Sequence, residues 1–268
     1  MGVPVTGSVA VVSATGGDVA ALFTALRVSE MSVALDVDEF DVTELVNTAA
    51  AVENLTGLMS GTASFSGFYP KSSPRVGNAG LVTITDGYTQ YVTDWKLDYD
   101  FGEQDITSFN ATDPEFKTYM PSGIYRWSGS YNAHAVNDTK VTLPLSPNSL
   151  GKAATFALTD TKSLAGNIIT RQLGHAVRKQ EKQVLAYSFT GSGSCTEAGA
   201  GTAIRGNGAW TGASFDLAAG TPNITFTTYT GRTYTANCYL RSLSIECAVS
   251  QVIKISGQLR FFGTIASA

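Results

Sequence analysis

Ser32-Val33-Ala34-Leu35-Asp36-Val37-Asp38 alternates apolar and polar residues with a period of two. Lys96-Leu97-Asp98-Tyr99-Asp100-Phe101 repeats the pattern further along the chain. Side chains along a strand point to opposite faces in turn, so such runs read as strands buried on one face and polar on the other. Val33, Leu35 and Val37 share one face, and Leu97, Tyr99 and Phe101 share the equivalent one. Residues 80–84, 140–143, 155–158, 223–227 and 240–249 read the same way, with Gly and Asn/Asp clusters between them. Helical signal is short. Residues 18–26 fit two turns capped by Asp18, residues 48–55 fit a second helix, and residues 112–119 a third, with Pro114 early in it. The expected fold is mainly β, antiparallel, with a few short helices.

Composition agrees with a packed β protein. Apolar residues make up 43% of the 268, enough for a core, while charged residues are only 15%, which excludes a coiled coil or a charged disordered chain. Apolar runs fall well short of the roughly 20 residues that span a bilayer as a helix, so no membrane partner is expected. The N-terminal stretch lacks the basic and apolar regions of a secretory signal. Cys195, Cys238 and Cys247 are an odd set and no disulfide framework; Cys238 and Cys247 lie in apolar surroundings and read as small core residues. Charge is unevenly spread. Residues 1–120 carry 16 acids and 5 bases, and residues 121–268 carry 6 acids and 13 bases. Either the two regions fold against each other, or acidic and basic faces meet between stacked copies.

The chain also contains itself. Residues 33–43 align with 97–107 at an offset of 64, and Gly57-Leu58-Met59-Ser60-Gly61 aligns with Gly123-Ile124-Tyr125-Arg126-Trp127 at 66. Near the end, Thr155-Phe156 to Asn167 and Arg171-Gln172-Leu173 align with Thr225-Phe226 to Asn237 and Arg241-Ser242-Leu243 at 70. The following segment from Leu185 aligns with that from Gly257 at 72. The order is front, front, back, back, whereas tandem copies would alternate. Nesting explains it: one unit of residues 1–86 plus 204–268, interrupted by a second of residues 87–203.

These segments carry a family resemblance. Asp41-Val42-Thr43, a short helix-like stretch, then Gly57-Leu58-Met59-Ser60-Gly61-Thr62-Ala63-Ser64 resembles the tail tube (major tail) proteins of long-tailed bacteriophages, and Asp105-Ile106-Thr107 to Ser128-Gly129-Ser130 echoes it. Later stretches, residues 219–237, 240–245 and 256–264, resemble the closing part of that family. A chain holding two such units is similar to the duplicated form. The resemblance implies two tail-tube-like antiparallel β-sandwich or barrel units. It implies a structural virion protein of the phage tail, assembled in the host cytoplasm, whose copies polymerise into stacked rings around passing DNA. Its implied partners are copies of itself, as a trimer with pseudo-sixfold symmetry or else a hexamer, stacked head to tail, together with other tail proteins at the tube ends. Double-stranded DNA would pass transiently and without sequence specificity. Six units of about four strands each, about 4.8 Å apart, give a wall near 115 Å around before tilt.

A DNA conduit must not grip phosphates, which favours acidic over basic lining. Asp36, Asp38, Asp98 and Asp100, on the polar faces of the two alternating stretches, are the candidate lining residues; the other reading turns them to outer solvent or a basic partner surface. No nucleophile motif, phosphate loop or zinc spacing is present, and His134 and His175 lack a metal-ligand pattern, so neither catalysis nor a cofactor is expected. Two other functions fit the pattern. One is a tail-tip or carbohydrate-binding β module, with Trp95, Trp127 and Trp210 as a sugar platform. The other is the tube protein of a related contractile injection system.

Overall fold

The computed structural model describes residues 11–15, 17–41, 54–69, 82–85, 91–107, 117, 119–134, 151–159, 161–176, 182–200, 204, 223–227 and 231–267. Twelve strands and one helix occupy them: β1 (Val11–Thr15), α1 (Gly17–Ala25), β2 (Arg27–Asp41), β3 (Asn54–Tyr69), β4 (Val82–Ile84), β5 (Val92–Asp105), β6 (Tyr119–His134), β7 (Lys152–Ala157), β8 (Lys162–Ala176), β9 (Val184–Gly199), β10 (Asn223–Thr227), β11 (Thr233–Ala248) and β12 (Ile253–Ser267). All strand pairs are antiparallel. The protein is mainly β, as the alternation indicates, but the sheet does not close into a barrel.

The few short helices reduce to one among the described residues. α1 buries Val19, Leu22 and Phe23, Leu26 just after it is buried too, and Phe23 packs on Phe65 of β3 with ring centroids 5.0 Å apart. The Asp18 side chain lies outside the described residues, as do residues 48–53, 112–116 and 118 of the other two expected helices. Asn54 and Leu55 belong to β3, and Tyr119 opens β6. The expected strand at 140–143 also lies outside the described residues.

The sheet runs β2-β3-β12-β11-β5-β6-β9-β8-β7-β4, with β10 on β11 and β1 on β10. This path contains one strand order twice. A first series reads β2-β3-β12-β11-β10-β1, and a second reads β5-β6-β9-β8-β7-β4. The second series, β4 to β9, falls in sequence between β3 and β10, and it starts at Val82, ahead of residue 87.

The registers match strand by strand. β11 shifts against β12 between Leu240 and Ser242, and β8 shifts against β9 between Thr170 and Gln172, 70 residues earlier. β11 shifts again at Ala236/Asn237, and β8 shifts again between Ala165 and Asn167. Thr225 pairs with Thr235 as Thr155 pairs with Ala165, and Val12 faces Phe226 as Val82 faces Phe156. β2 breaks against β3 at Val28/Glu30 and Val37/Glu39; β5 breaks against β6 at Val92/Asp94 and Phe101/Glu103, 64 residues on. Bulges re-aim a strand at a fixed place, so their recurrence fixes equivalence better than residue identity does. One alignment changes as a result: Phe189 sits opposite Thr170 as Leu259 sits opposite Leu240, so β9 and β12 correspond at 70 rather than 72.

Eight of these strands, β2 to β8 in the path above, make a continuous wall. One face of the wall is apolar. Trp95, Leu97, Tyr99 and Phe101 of β5, Leu243, Ile245 and Cys247 of β11, and Trp127, Tyr131, Tyr187 and Phe189 of β6 and β9 are buried there. The sheet folds over to cover this face. Phe156 of β7 reaches Trp95 at 5.6 Å and Phe189 at 5.3 Å, although β7 is no neighbour of β5 in the sheet. Gly191 makes room for Trp127: a Cβ there would lie 1.9 Å from the indole. The indole nitrogen donates to the Gly193 carbonyl at 2.9 Å.

Candidate functional site

The opposite face of the wall is polar and carries no second layer of described strands. Directly opposed residues share a face, so the registers trace rows across it. Ser32, Ser64, Gln258, Ser242, Asp100 and Arg126 form one row. Ser66, Ser256, Ser244, Asp98, Ser128 and Thr190 form the next. The side chains are short, and some bond one another: the Ser32 and Ser64 hydroxyls are 2.6 Å apart. A shallow groove of about 740 Å³ runs over the middle of this face, bordered by Asp98, Asp100, Arg126, Ser242, Ser244 and Gln258.

Asp36, Asp98 and Asp100 lie on this face. They do not form one acidic patch. Asp98 is 3.2 Å from Lys96, which also approaches Glu246 at 3.6 Å, and Asp100 stands opposite Arg126. Asp36 is on β2, four strands from β5. Asp38 sits at the β2 bulge and is held by the Lys117 ammonium at 2.6 Å. The hydrogen bond to Asp38 raises the Lys117 pKa above its ordinary value. The face therefore carries alternating charges among hydroxyls rather than a uniform negative field.

Of the aromatic platform expected for a sugar site, Trp95 and Trp127 are buried in the core, and Trp210 lies outside the described residues. The three cysteines are also buried; burial pushes the thiols of Cys195 and Cys247 up to about 11 and that of Cys238 up to about 12, so none is a poised nucleophile.

The feature that sequence reasoning passed over is the junction where β11 of the first series pairs with β5 of the second. Ser242 to Ala248 run opposite Asp100 to Asp94 in an unbroken ladder. At one end of it Glu103 gathers three side chains. Its carboxylate accepts from Arg260 at 2.7 and 3.2 Å and from the Tyr239 hydroxyl at 2.9 Å, and Arg241 approaches to 3.7 Å. Burial alone would raise the Glu103 carboxyl, but the Arg260 and Tyr239 hydrogen bonds outweigh it and hold the group below its ordinary value. Arg260 also lies over the Tyr119 ring, 4.4 Å from its centre. The signal for this cluster was in the repeat: Glu39 aligns with Glu103, and Arg171 with Arg241, so both halves of the cross-junction ion pair occur twice.

Two wall edges have no strand beside them among the described residues. β2 pairs only with β3, and β8 beyond Ile168 pairs only with β9. These are the counterparts of β5 and β11, the two strands that meet at the junction. No family model matches the chain, and no curated protein matches it.

Proposed function

We propose that this chain is a structural subunit of a phage tail tube: two related units in one polypeptide, with copies joining edge to edge into rings that stack around a DNA-conducting bore. The observation that carries the reading is the repeated strand order joined at its own middle by an edge-to-edge junction. A fold that joins two of its units in this way already contains a repeatable contact, and its outer edges are those the same contact uses. Exposed strand edges are otherwise an aggregation hazard that proteins blunt or cover. One edge differs from the other, so the contact is heterologous and suits a ring.

The wall supplies four strands per unit. Three copies, giving six units, would make a wall about 115 Å around before tilt, with a backbone diameter near 37 Å, enough for a duplex about 20 Å wide once short side chains line it. The uncovered hydroxyl-rich face is the natural lining. Lys96 and Arg126 on it stand beside Asp98 and Asp100, which limits their grip on phosphates. No pairing of nucleophile and base enters the reading; its work is done by shape.

Negative-stain microscopy of the purified protein at high concentration tests it. Annuli or hollow rods roughly 80–120 Å wide, the wall plus its outer layer, are expected. Solid aggregates, or a monomer that persists at every concentration, would end the proposal.

A further inference from the structure

The molecule holds a template for its own contact with a second copy. At the internal junction, β11 offers residues 242–248 to β5, while the neighbouring stretch of the same edge, residues 233–237, is taken by β10. β8 is laid out in the same way: residues 163–168 are taken by β7, and residues 172–176 are open on that side. We infer that this open stretch of β8 pairs with the open edge of β2 from a second copy, antiparallel, in the register Gln172↔Asp36, Leu173↔Leu35, Gly174↔Ala34, His175↔Val33 and Ala176↔Ser32. The register is the internal one shifted by 70 residues on one strand and 64 on the other. It rests on the assembly reading above and gives that assembly its partner and geometry.

Three observations support it independently of the topology. The first is exposure. Tyr99 and Phe101 are 2% and 3% exposed beside the junction, whereas their counterparts Leu35 and Val37 are 58% and 40% exposed on the open edge. On the other strand, Tyr239 is buried, and its counterpart Ile169 is 45% exposed. Positions beside the junction are thus buried, and their counterparts on the open edges are apolar and bare. The second is charge. β2 carries Glu30, Asp36, Asp38, Glu39 and Asp41 against Arg27 alone, while β8 carries no acid, and of its two cations Lys162 is buried against Glu197 and Arg171 is exposed. The third is the repeated ion pair. Arg241 meets Glu103 across the junction, and Arg171 and Glu39 occupy the same places on β8 and β2. Arg171 is exposed and forms no ion pair with another described residue. At the contact between copies, Arg171 and Glu39 come into the register positions that Arg241 and Glu103 hold internally. Tyr239 and Arg260, which reinforce Glu103 internally, are replaced there by Ile169 and Thr190. The contact between copies is accordingly the weaker of the two and forms with concentration.

Charge reversal tests the pairing. Arg171→Glu alone and Glu39→Arg alone each put like charges together and should raise the concentration needed for assembly about tenfold or more. The chain carrying both reversals should return to within about threefold of the original, because every contact regains an opposite pair. Cysteine cross-linking tests the register without depending on stability. A chain with Leu35→Cys and Leu173→Cys, oxidised with diamide, should give a ladder of covalent oligomers on a non-reducing gel. A chain with Leu35→Cys and His175→Cys should not. Assembly that persists with no ladder, or with the shifted pair linking equally well, would overturn this register while leaving the tube reading standing. Failure of the unmodified protein to associate at all would remove both.

Discussion

Replacing Leu35 by Ser separates the stability of the chain from its association. With 58% of its surface exposed, Leu35 contributes little to the isolated fold, and Leu35→Ser should move the melting temperature by no more than about 1 °C. In the proposed contact Leu173 of a second copy covers it. The exposed part amounts to about 100 Å² of apolar surface, and its burial is worth about 2.5 kcal/mol. Ordering the side chain returns between about 0.5 and 1 kcal/mol, which leaves about 2 kcal/mol per contact. That is roughly a thirtyfold rise in the dissociation constant. Tyr99 holds the same position beside the internal junction and is 2% exposed. Tyr99→Ser should therefore cost about 3–5 kcal/mol of folding stability. Sedimentation velocity across a concentration series, beside thermal melts, measures both. A Leu35→Ser chain that melts early would place Leu35 in the fold of the single copy, and one that associates as readily as the original would place it outside the contact.

Other consequences follow from the interior. The Lys162 ammonium and Glu197 carboxylate form a buried pair 2.9 Å apart; Lys162→Met strands the carboxylate and should cost about 3–5 kcal/mol, lowering the melting temperature by roughly 5–9 °C, while adding Glu197→Gln should restore much of the loss. Gly191→Ala drives a methyl group into Trp127 and should destabilise by at least about 1–3 kcal/mol, with a changed near-ultraviolet circular dichroism spectrum. Glu103 is held below its ordinary carboxyl value of 4.5, so its stabilisation is complete above that pH and drains as the pH falls toward the lowered folded value. Glu103→Gln should flatten the acid limb of a stability-against-pH curve, and an unchanged limb would show that the carboxylate contributes nothing there.

Much of the fold was legible because it rests on period-two alternation. Leu97, Tyr99 and Phe101 are buried along one face of β5, as their spacing requires. The offsets of 64 and 70 were legible because each repeat keeps a few identical residues, such as Arg171 and Arg241, near its bulges. The offset of 72 in the last pair misled because Leu185 to Gly191 and their counterparts share only alternation, and alternation aligns equally well at any even shift. Closure into a barrel was not legible, since it depends on which strands find each other after the sheet folds over. The make-up of the polar face was partly legible. Parity along β2 and β5 put Asp36, Asp98 and Asp100 on a common face, but nothing local showed that Lys117 would hold Asp38 or that Lys96 would sit between Asp98 and Glu246. Glu103 was missed as a junction residue because its partners, Tyr239, Arg241 and Arg260, are more than a hundred positions away.

Hydrogen–deuterium exchange on the dilute and the assembled protein reads the pairing of the two open edges residue by residue. Assembly should slow exchange at residues 32–36 of β2 and 172–176 of β8, and leave the ladder between β5 and β11 as protected as before. Protection that appears elsewhere while both edges keep exchanging at their dilute rates would contradict that pairing.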